Sequence, residues 1–238
     1  HQTSRGLRFN MSHIAGVFFD LDGTLVDTAP DFHAGINRLR LAHGLPAMAY
    51  EPIRAVVSEG AKAVVRTGFP DIAADDPEAG SEQAEQLRLA FLADYIEHLA
   101  DTSVVFAGLD QSLQLLEAQG IVWGVVTNKS STYTRPLMQA LGLAARSAAT
   151  VSADEVVNSK PHPEPLFKAA SMAGVDAADC VYVGDHARDI EAGRRAGMLT
   201  VAVGWGYLPT PDSHTTWDAD VICDTPADFL RWLQARLA

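Results

Sequence analysis

Cysteine is nearly absent: the 238 residues hold only Cys180 and Cys223, which share no metal-ligand or redox spacing. That excludes a cysteine-built metal or redox centre and fits a reduced, cytoplasmic protein. The eight histidines form no His-x-His or His-Glu-x-x-His pattern, so a zinc site of that kind is excluded too. Positive charge is scarce. Against 30 Asp+Glu there are 18 Lys+Arg, a formal charge of −12 at pH 7, which argues against nucleic acid or an anionic membrane as partner. No apolar run approaches the ~20 residues of a membrane span. Residues 1–10 lack a signal peptide's apolar centre and precede Met11; they are read as an expression remnant outside the fold. There is no internal repeat and no low-complexity tract. Gly204-Trp-Gly206 lacks a third glycine, because position 209 is proline, so no dinucleotide site follows. Trp123 and Trp232 read as core.

What is present is a 47% apolar chain in which strand and helix patterns alternate. Its length allows one large domain, or one carrying an insertion. Residues 14–19, 121–126, 180–183, 199–203 and 220–223 read as strands, with a weaker one at 149–152. Helical patterns cover 109–119, 132–141, 163–173, 190–196 and 227–237, and several stop at a glycine such as Gly120, Gly142, Gly174 or Gly197. Strands separated by helices at this spacing imply an α/β fold, a parallel sheet with helices on both faces. Residues 29–101 break the rhythm. They show helical periodicity without a strand: Phe32, Ile36 and Leu39 in one helix, Leu87, Phe91, Tyr95 and Leu99 in another. Two shorter apolar patterns, 53–57 and 61–66, lie between them, followed by a Pro/Asp-rich loop over 70–80. The unit reads as a helical insertion acting as a lid, with mere packing as the alternative.

The chemistry gathers where strands end. The run Asp20-Leu-Asp-Gly-Thr-Leu-Val-Asp-Thr28 follows a buried strand and places two carboxylates, Asp20 and Asp22, at the C-terminal sheet edge where open α/β sheets build ligand sites. Such charge is costly without a cation or a reactive role. Gly23 and Thr24 allow a tight turn and offer N–H and hydroxyl donors to an oxyanion. An EF-hand is excluded, since that loop needs Gly at position six and Glu at twelve; a plain solvated turn stays open for this segment taken alone. Three further strand ends answer it: Thr127-Asn128-Lys129, Lys160 before Pro161, and Gly184-Asp185 followed by Asp189. Each is weak singly; in order at successive strand ends they form a set.

The set resembles the haloacid dehalogenase-like superfamily of phosphatases over residues 14–238: Asp20 to Thr24 as its first motif, Thr127 as the second, Lys160 as the third, and Gly184-Asp185 with Asp189 as the fourth. The resemblance implies a five-stranded Rossmann-like core formed by 11–28 and 102–238, with 29–101 as a helical cap of the first cap class. It implies Asp20 as nucleophile forming an aspartyl-phosphate and Asp22 as general acid and then base. Thr127 and Lys160 would hold the phosphoryl oxygens, with backbone N–H groups after Asp20 and at Asn128 completing the cradle. Mg²⁺ would sit on Asp20, Asp185, the backbone carbonyl of Asp22 and, at the outside, Asp189. Asp22 separates the chain from dehalogenases and from phosphonate hydrolases with Ala at that place.

Narrower segments, 57–65, 124–129, 158–161, 205–209 and 217–222, resemble the phosphoglycolate phosphatase-like branch, and within it the bacterial N-acetylmuramic acid 6-phosphate phosphatases. The resemblance implies a small phosphorylated acid or sugar as substrate, and a monomer or homodimer. Gly60 and Lys62 fall at the branch's specificity loop, where Lys62 would read a carboxylate unless it is a solvated surface lysine. His186 departs from the acidic or small residue common after Asp185. Two rival functions remain: a phosphomutase of the β-phosphoglucomutase type, and a catalytically silent module that senses phosphorylation.

Overall fold

A computed structural model describes residues 13–75 and 80–238; the expectation for residues 1–10 lies outside them. The chain forms β1 (Gly16–Phe19), β2 (Val26–Asp27), α1 (Ala29–Ala42), α2 (Tyr50–Arg54), α3 (Ala61–Gly68), α4 (Pro70–Asp75), α5 (Gly80–His98), β3 (Val104–Val105), α6 (Leu109–Ala118), β4 (Val122–Val126), α7 (Ser131–Ala140), β5 (Thr150–Val151), α8 (Glu164–Ala173), β6 (Cys180–Gly184), α9 (Ala187–Arg195), β7 (Leu199–Val203), β8 (Val221–Cys223) and α10 (Pro226–Leu237). It divides into two compact units. One runs to Leu25 and resumes over Val105–Ala238; the other is Val26–Val104.

In the first unit six strands lie in the order β5-β4-β1-β6-β7-β8, every pair parallel. The five strands implied by the resemblance become six, the extra edge being β8, which was legible as residues 220–223. β1 is central because it is buried on both faces: Val17, Phe18 and Phe19 are wholly inaccessible. Side chains alternate across a strand, so its two phenylalanines serve opposite layers. Phe18 packs with Leu166 and Ala169 of α8, Ala192 of α9 and Tyr182 of β6. Phe19 meets Trp123 and, from α10, Phe229 edge-to-face at 6.4 and 5.8 Å. Trp123 is core as expected. Trp232 is only half-buried, since it stacks on the outer side of Phe229 at 6.0 Å, under Arg236. The chain builds β4 and β5 on one side of β1 and β6 to β8 on the other. The strand order therefore reverses beside β1, and the crevice at its C-terminal end is where such sheets hold ligands.

The second unit is helical between β2 and β3, which pair in a separate two-stranded sheet. At two residues each these strands are too short to show a period in sequence, and no expectation covered them. The stripe Leu87, Phe91, Tyr95, Leu99 is buried as its spacing predicts, with Phe32 against Tyr95 at 4.6 Å. The expected loop over 70–80 is instead helical at Pro70–Asp75. Proline at a first helical position needs no N–H partner, so it starts a helix as readily as it breaks one. Asp31, on the first turn of α1, is buried and accepts from both N–H and hydroxyl of Thr102 and of Ser103 at 2.6–3.1 Å. That ties the beginning of the unit to its end.

Candidate active site

Asp20 leaves β1 at the central sheet edge and is 4% exposed. Its Oδ1 accepts from the Leu21 N–H at 2.8 Å and from Lys160 Nζ at 3.1 Å. The turn that follows closes through Thr24 N–H to the Leu21 carbonyl at 3.2 Å, with Gly23 at φ 82°. Thr24 was expected to face an oxyanion. Its N–H is spent on that turn, and its buried hydroxyl donates to Asp185 Oδ1 at 3.2 Å.

Lys160 is the buried cation of the site. Its Nζ donates to Asp189 Oδ1 at 2.7 Å, Tyr182 Oη at 2.7 Å and the Val126 carbonyl at 3.0 Å besides Asp20. Asn128 holds the backbone there: its side chain donates to the Lys160 carbonyl at 2.9 Å and accepts the Lys160 N–H at 3.1 Å. Thr127 is buried at the end of β4, anchored by its N–H to the Val151 carbonyl at 2.9 Å.

Asp185 and Asp189 follow β6, and both are fully buried. One carboxylate oxygen from each, with one from Asp20, lies within 4.8 Å of the others. Burial, and then the Asp189 charge, push the Asp20 carboxyl above its usual range, only partly opposed by Lys160 and Arg188. Burial also acts to raise Asp189, but Lys160 and Arg188 outweigh it and hold that group below its usual range. Tyr182 is pushed well up, by burial first and by Asp189 and Asp20 after it. Three buried carboxylates around one buried ammonium leave negative charge in excess. A seat of hard oxygens with that excess fits a divalent cation such as Mg²⁺.

His186 has a local role: its Nδ1 accepts the Arg188 N–H at 3.1 Å, while Asp189 Oδ2 accepts the His186 N–H at 3.2 Å, a reciprocal cap on α9. Asp189 therefore joins the carboxylate cluster and the helix start at once. Asp22, 14% exposed in its side chain, is paired with Lys129, whose Nζ donates to its Oδ1 at 2.9 Å. Gly60 and Lys62 belong to the helical unit, Gly60 ahead of α3 at φ 94° and Lys62 exposed on its first turn. Lys62 is among the charges that lower the exposed Glu85 carboxyl there, after Arg88.

Some participants were not picked from sequence. Tyr182 read as apolar strand, although a hydroxyl inside a core strand needs a partner and so carried a signal. Lys129 belongs to the strand end Thr127-Asn128-Lys129, which drew notice for its hydroxyl and amide and not for its ammonium. In the 204–209 stretch the sequence offers a glycine pair without a dinucleotide site and a likeness to the branch, but no sign of a contact with the acidic cluster. There the Tyr207 N–H donates to Asp185 Oδ2 at 3.0 Å, and Trp205 Nε1 donates to the Thr24 carbonyl at 2.9 Å. The cysteines stay out of the chemistry, both buried with their thiols pushed by burial to about 12.

One sheet edge thus brings together the buried Asp20 carboxylate, a second carboxylate at Asp22 paired with Lys129, a buried ammonium and a set of acidic oxygens that fits a cation. Residues 17–203 match the family model for haloacid dehalogenase-like hydrolases. The chain is 45% identical over 224 residues to an N-acetylmuramic acid 6-phosphate phosphatase of Pseudomonas aeruginosa, covering 94% of this chain and 96% of that one. It is 41% identical over 210 residues to a phosphoglycolate phosphatase of Xanthomonas campestris, covering 88% and 92%. A crystal structure of a predicted phosphoglycolate phosphatase from Haemophilus somnus superposes with a TM-score of 0.79 at 26% identity, over 93% of this chain and 98% of that one. The motifs, their meeting at one strand-order reversal and these likenesses agree: the chain belongs to the haloacid dehalogenase-like hydrolases.

Proposed function

We propose that this protein is a Mg²⁺-dependent phosphomonoesterase that works through an aspartyl-phosphate. It is a phosphatase, and its substrates are small phosphorylated metabolites. Among these, N-acetylmuramic acid 6-phosphate stands ahead of 2-phosphoglycolate, because the relatives named for it share more identity over more of the chain. The observation that carries the reading is the cluster of Asp20, Asp185 and Asp189 within 4.8 Å, with Lys160 Nζ bonded to two of its members.

In this reading an Asp20 carboxylate oxygen attacks phosphorus, the bond from phosphorus to the ester oxygen breaks, and that oxygen takes a proton from the Asp22 carboxyl. Water then attacks the same phosphorus and gives its proton to Asp22 as the bond from phosphorus to Asp20 breaks. Lys160 keeps positive charge beside the phosphoryl oxygens throughout, with Thr127 and backbone N–H groups as further donors. Asp20, Asp185 and Asp189, with the backbone carbonyl of Asp22, would hold Mg²⁺, which would offset the charge of the phosphoryl group. The helical unit 29–101 would choose the leaving group, with Gly60 and Lys62 as its reading loop.

The test is phosphate release from both candidates with Mg²⁺ and no bisphosphate activator. Release is expected for the wild type, silenced by EDTA and restored by Mg²⁺, and absent for Asp20→Asn. Turnover that needs a bisphosphate would make the protein a mutase, and an active, sequence-confirmed Asp20→Asn would remove the nucleophile.

A further inference from the structure

We propose that Lys129 is a positioning residue for Asp22, holding the carboxylate that handles the leaving group's proton and taking no part in gripping the phosphoryl group. The inference rests on the phosphatase reading above. A lysine in a turn is ordinarily solvated, with its ammonium in water. Lys129 is not: its side chain is 8% exposed, and its Nζ donates at 2.9 Å to an Asp22 carboxylate itself 14% exposed. The two residues stand on turns that leave neighbouring strands, since β1 and β4 pair with Phe19 beside Val125. The Lys129 backbone is fixed as well, its N–H donating to Thr127 Oγ1 at 3.1 Å. The direction of the side chain is thus set by the same strand end that carries Thr127.

The two lysines divide the site. Lys160 Nζ serves Asp20 and Asp189, on the side of the nucleophile and the cation seat. Lys129 Nζ serves Asp22, on the side of the departing oxygen. An aspartate with two rotatable bonds visits several rotamers unless a partner selects one, and an acid/base must lie within hydrogen-bond reach of the atom it serves. A charge-assisted bond from a half-buried ammonium supplies that selection.

Rapid-quench kinetics with nitrophenyl phosphate and Mg²⁺ tests the assignment, comparing wild type, Lys129→Met and Lys129→Arg. Nitrophenolate leaves without a proton, so Lys129→Met should keep the first-turnover burst within about 3-fold of wild type. Steady-state turnover should fall on the order of 10- to 100-fold, a part of what loss of a general base costs. KM should fall with kcat, so that kcat/KM holds, and the phosphate adduct should accumulate on the peptide containing Asp20. With glycerol phosphate, where both steps need Asp22, turnover should fall further and the adduct should not accumulate. Lys129→Arg should recover the larger share of each loss. Equal loss of burst and steady state overturns the proposal, as do unchanged kinetics. A rise in KM confined to substrates with a remote carboxylate also overturns it, since Lys129 would then bind the substrate. If Lys129→Met does not fold, Lys129→Gln carries the same comparison. Asp20→Asn run in parallel separates the two levels: its activity decides the aspartyl-phosphate reading, whatever Lys129 does.

Discussion

Lys160 brings one positive charge among groups that would otherwise repel one another, 3% exposed beside Asp20 at 4% and Asp189 at 0%. Taking away one partner of a buried ion pair strands the other, at about 3–5 kcal/mol. Lys160→Met, which keeps the unbranched stem and removes the ammonium, should therefore lower urea stability by about that much in EDTA. Added Mg²⁺ should restore more of it in the variant than in the wild type, because a cation bound only by the folded state stabilises it by mass action. Equal stability of the two proteins in EDTA would mean that the ammonium is not needed to hold the carboxylates together. At this scale the acids and Lys160 were legible, because charged residues at the ends of apolar strands stand out. Tyr182 was not. Its strand neighbours Val181 and Val183 are wholly buried, and a tyrosine among valines reads as packing until its hydroxyl is seen donating to Val126 O at 2.7 Å.

The segment after β7 shows what an element contributes beyond its residues. Its contact from Tyr207 to Asp185 spans 22 positions, and that from Trp205 to Thr24 spans 181, so no local pattern announces it. Gly206 is pressed between the two loops it braces: a Cβ there would lie 2.3 Å from Asp185 Cβ and 2.6 Å from the Gly23 carbonyl oxygen. Backbone cannot give way by that much, so Gly206→Ala should displace the segment and free one Asp185 oxygen. Groups that orient a metal ligand typically govern affinity by about 10- to 100-fold. Calorimetric titration of Mg²⁺ should find a loss in that range, with the fold retained by circular dichroism. Trp205→Phe, which removes only the indole N–H, should lose less. Unchanged Mg²⁺ affinity in Gly206→Ala would leave the segment as packing alone. The helices and strands themselves were largely readable, because glycine stops and apolar runs are local signals. Failures fell where local chemistry is ambiguous, as at Pro70, or where a strand is two residues long, as at β2 and β3.

Across the whole molecule the proposed mechanism assigns the phosphoryl chemistry and the reading of the substrate to different units. Asp20, Asp22, Thr127, Lys160, Asp185 and Asp189 all lie in the unit that contains Val105–Ala238, while Lys62 lies in the unit Val26–Val104. The interruption of the strand-helix rhythm marks the helical stretch in the sequence, since a long helical stretch cannot supply a parallel strand. What the helical unit selects was not legible, because one lysine on an exposed turn has no chemistry of its own. If Lys62 reads a carboxylate on the leaving group, Lys62→Ala should damage only substrates that carry one. A charge-assisted contact contributes roughly 1.5–3 kcal/mol, so kcat/KM for N-acetylmuramic acid 6-phosphate should fall about 10- to 150-fold. Nitrophenyl phosphate, which has no such group, should be turned over as before, since in the proposed mechanism Asp20 and Lys160 act on the phosphoryl group in every substrate. An analogue with the carboxylate amidated should lose little on Lys62→Ala. A uniform loss across all three would assign Lys62 to the stability of its helix. No loss at all would leave it as a surface charge whose neighbour is Glu85, the acid it already helps to lower.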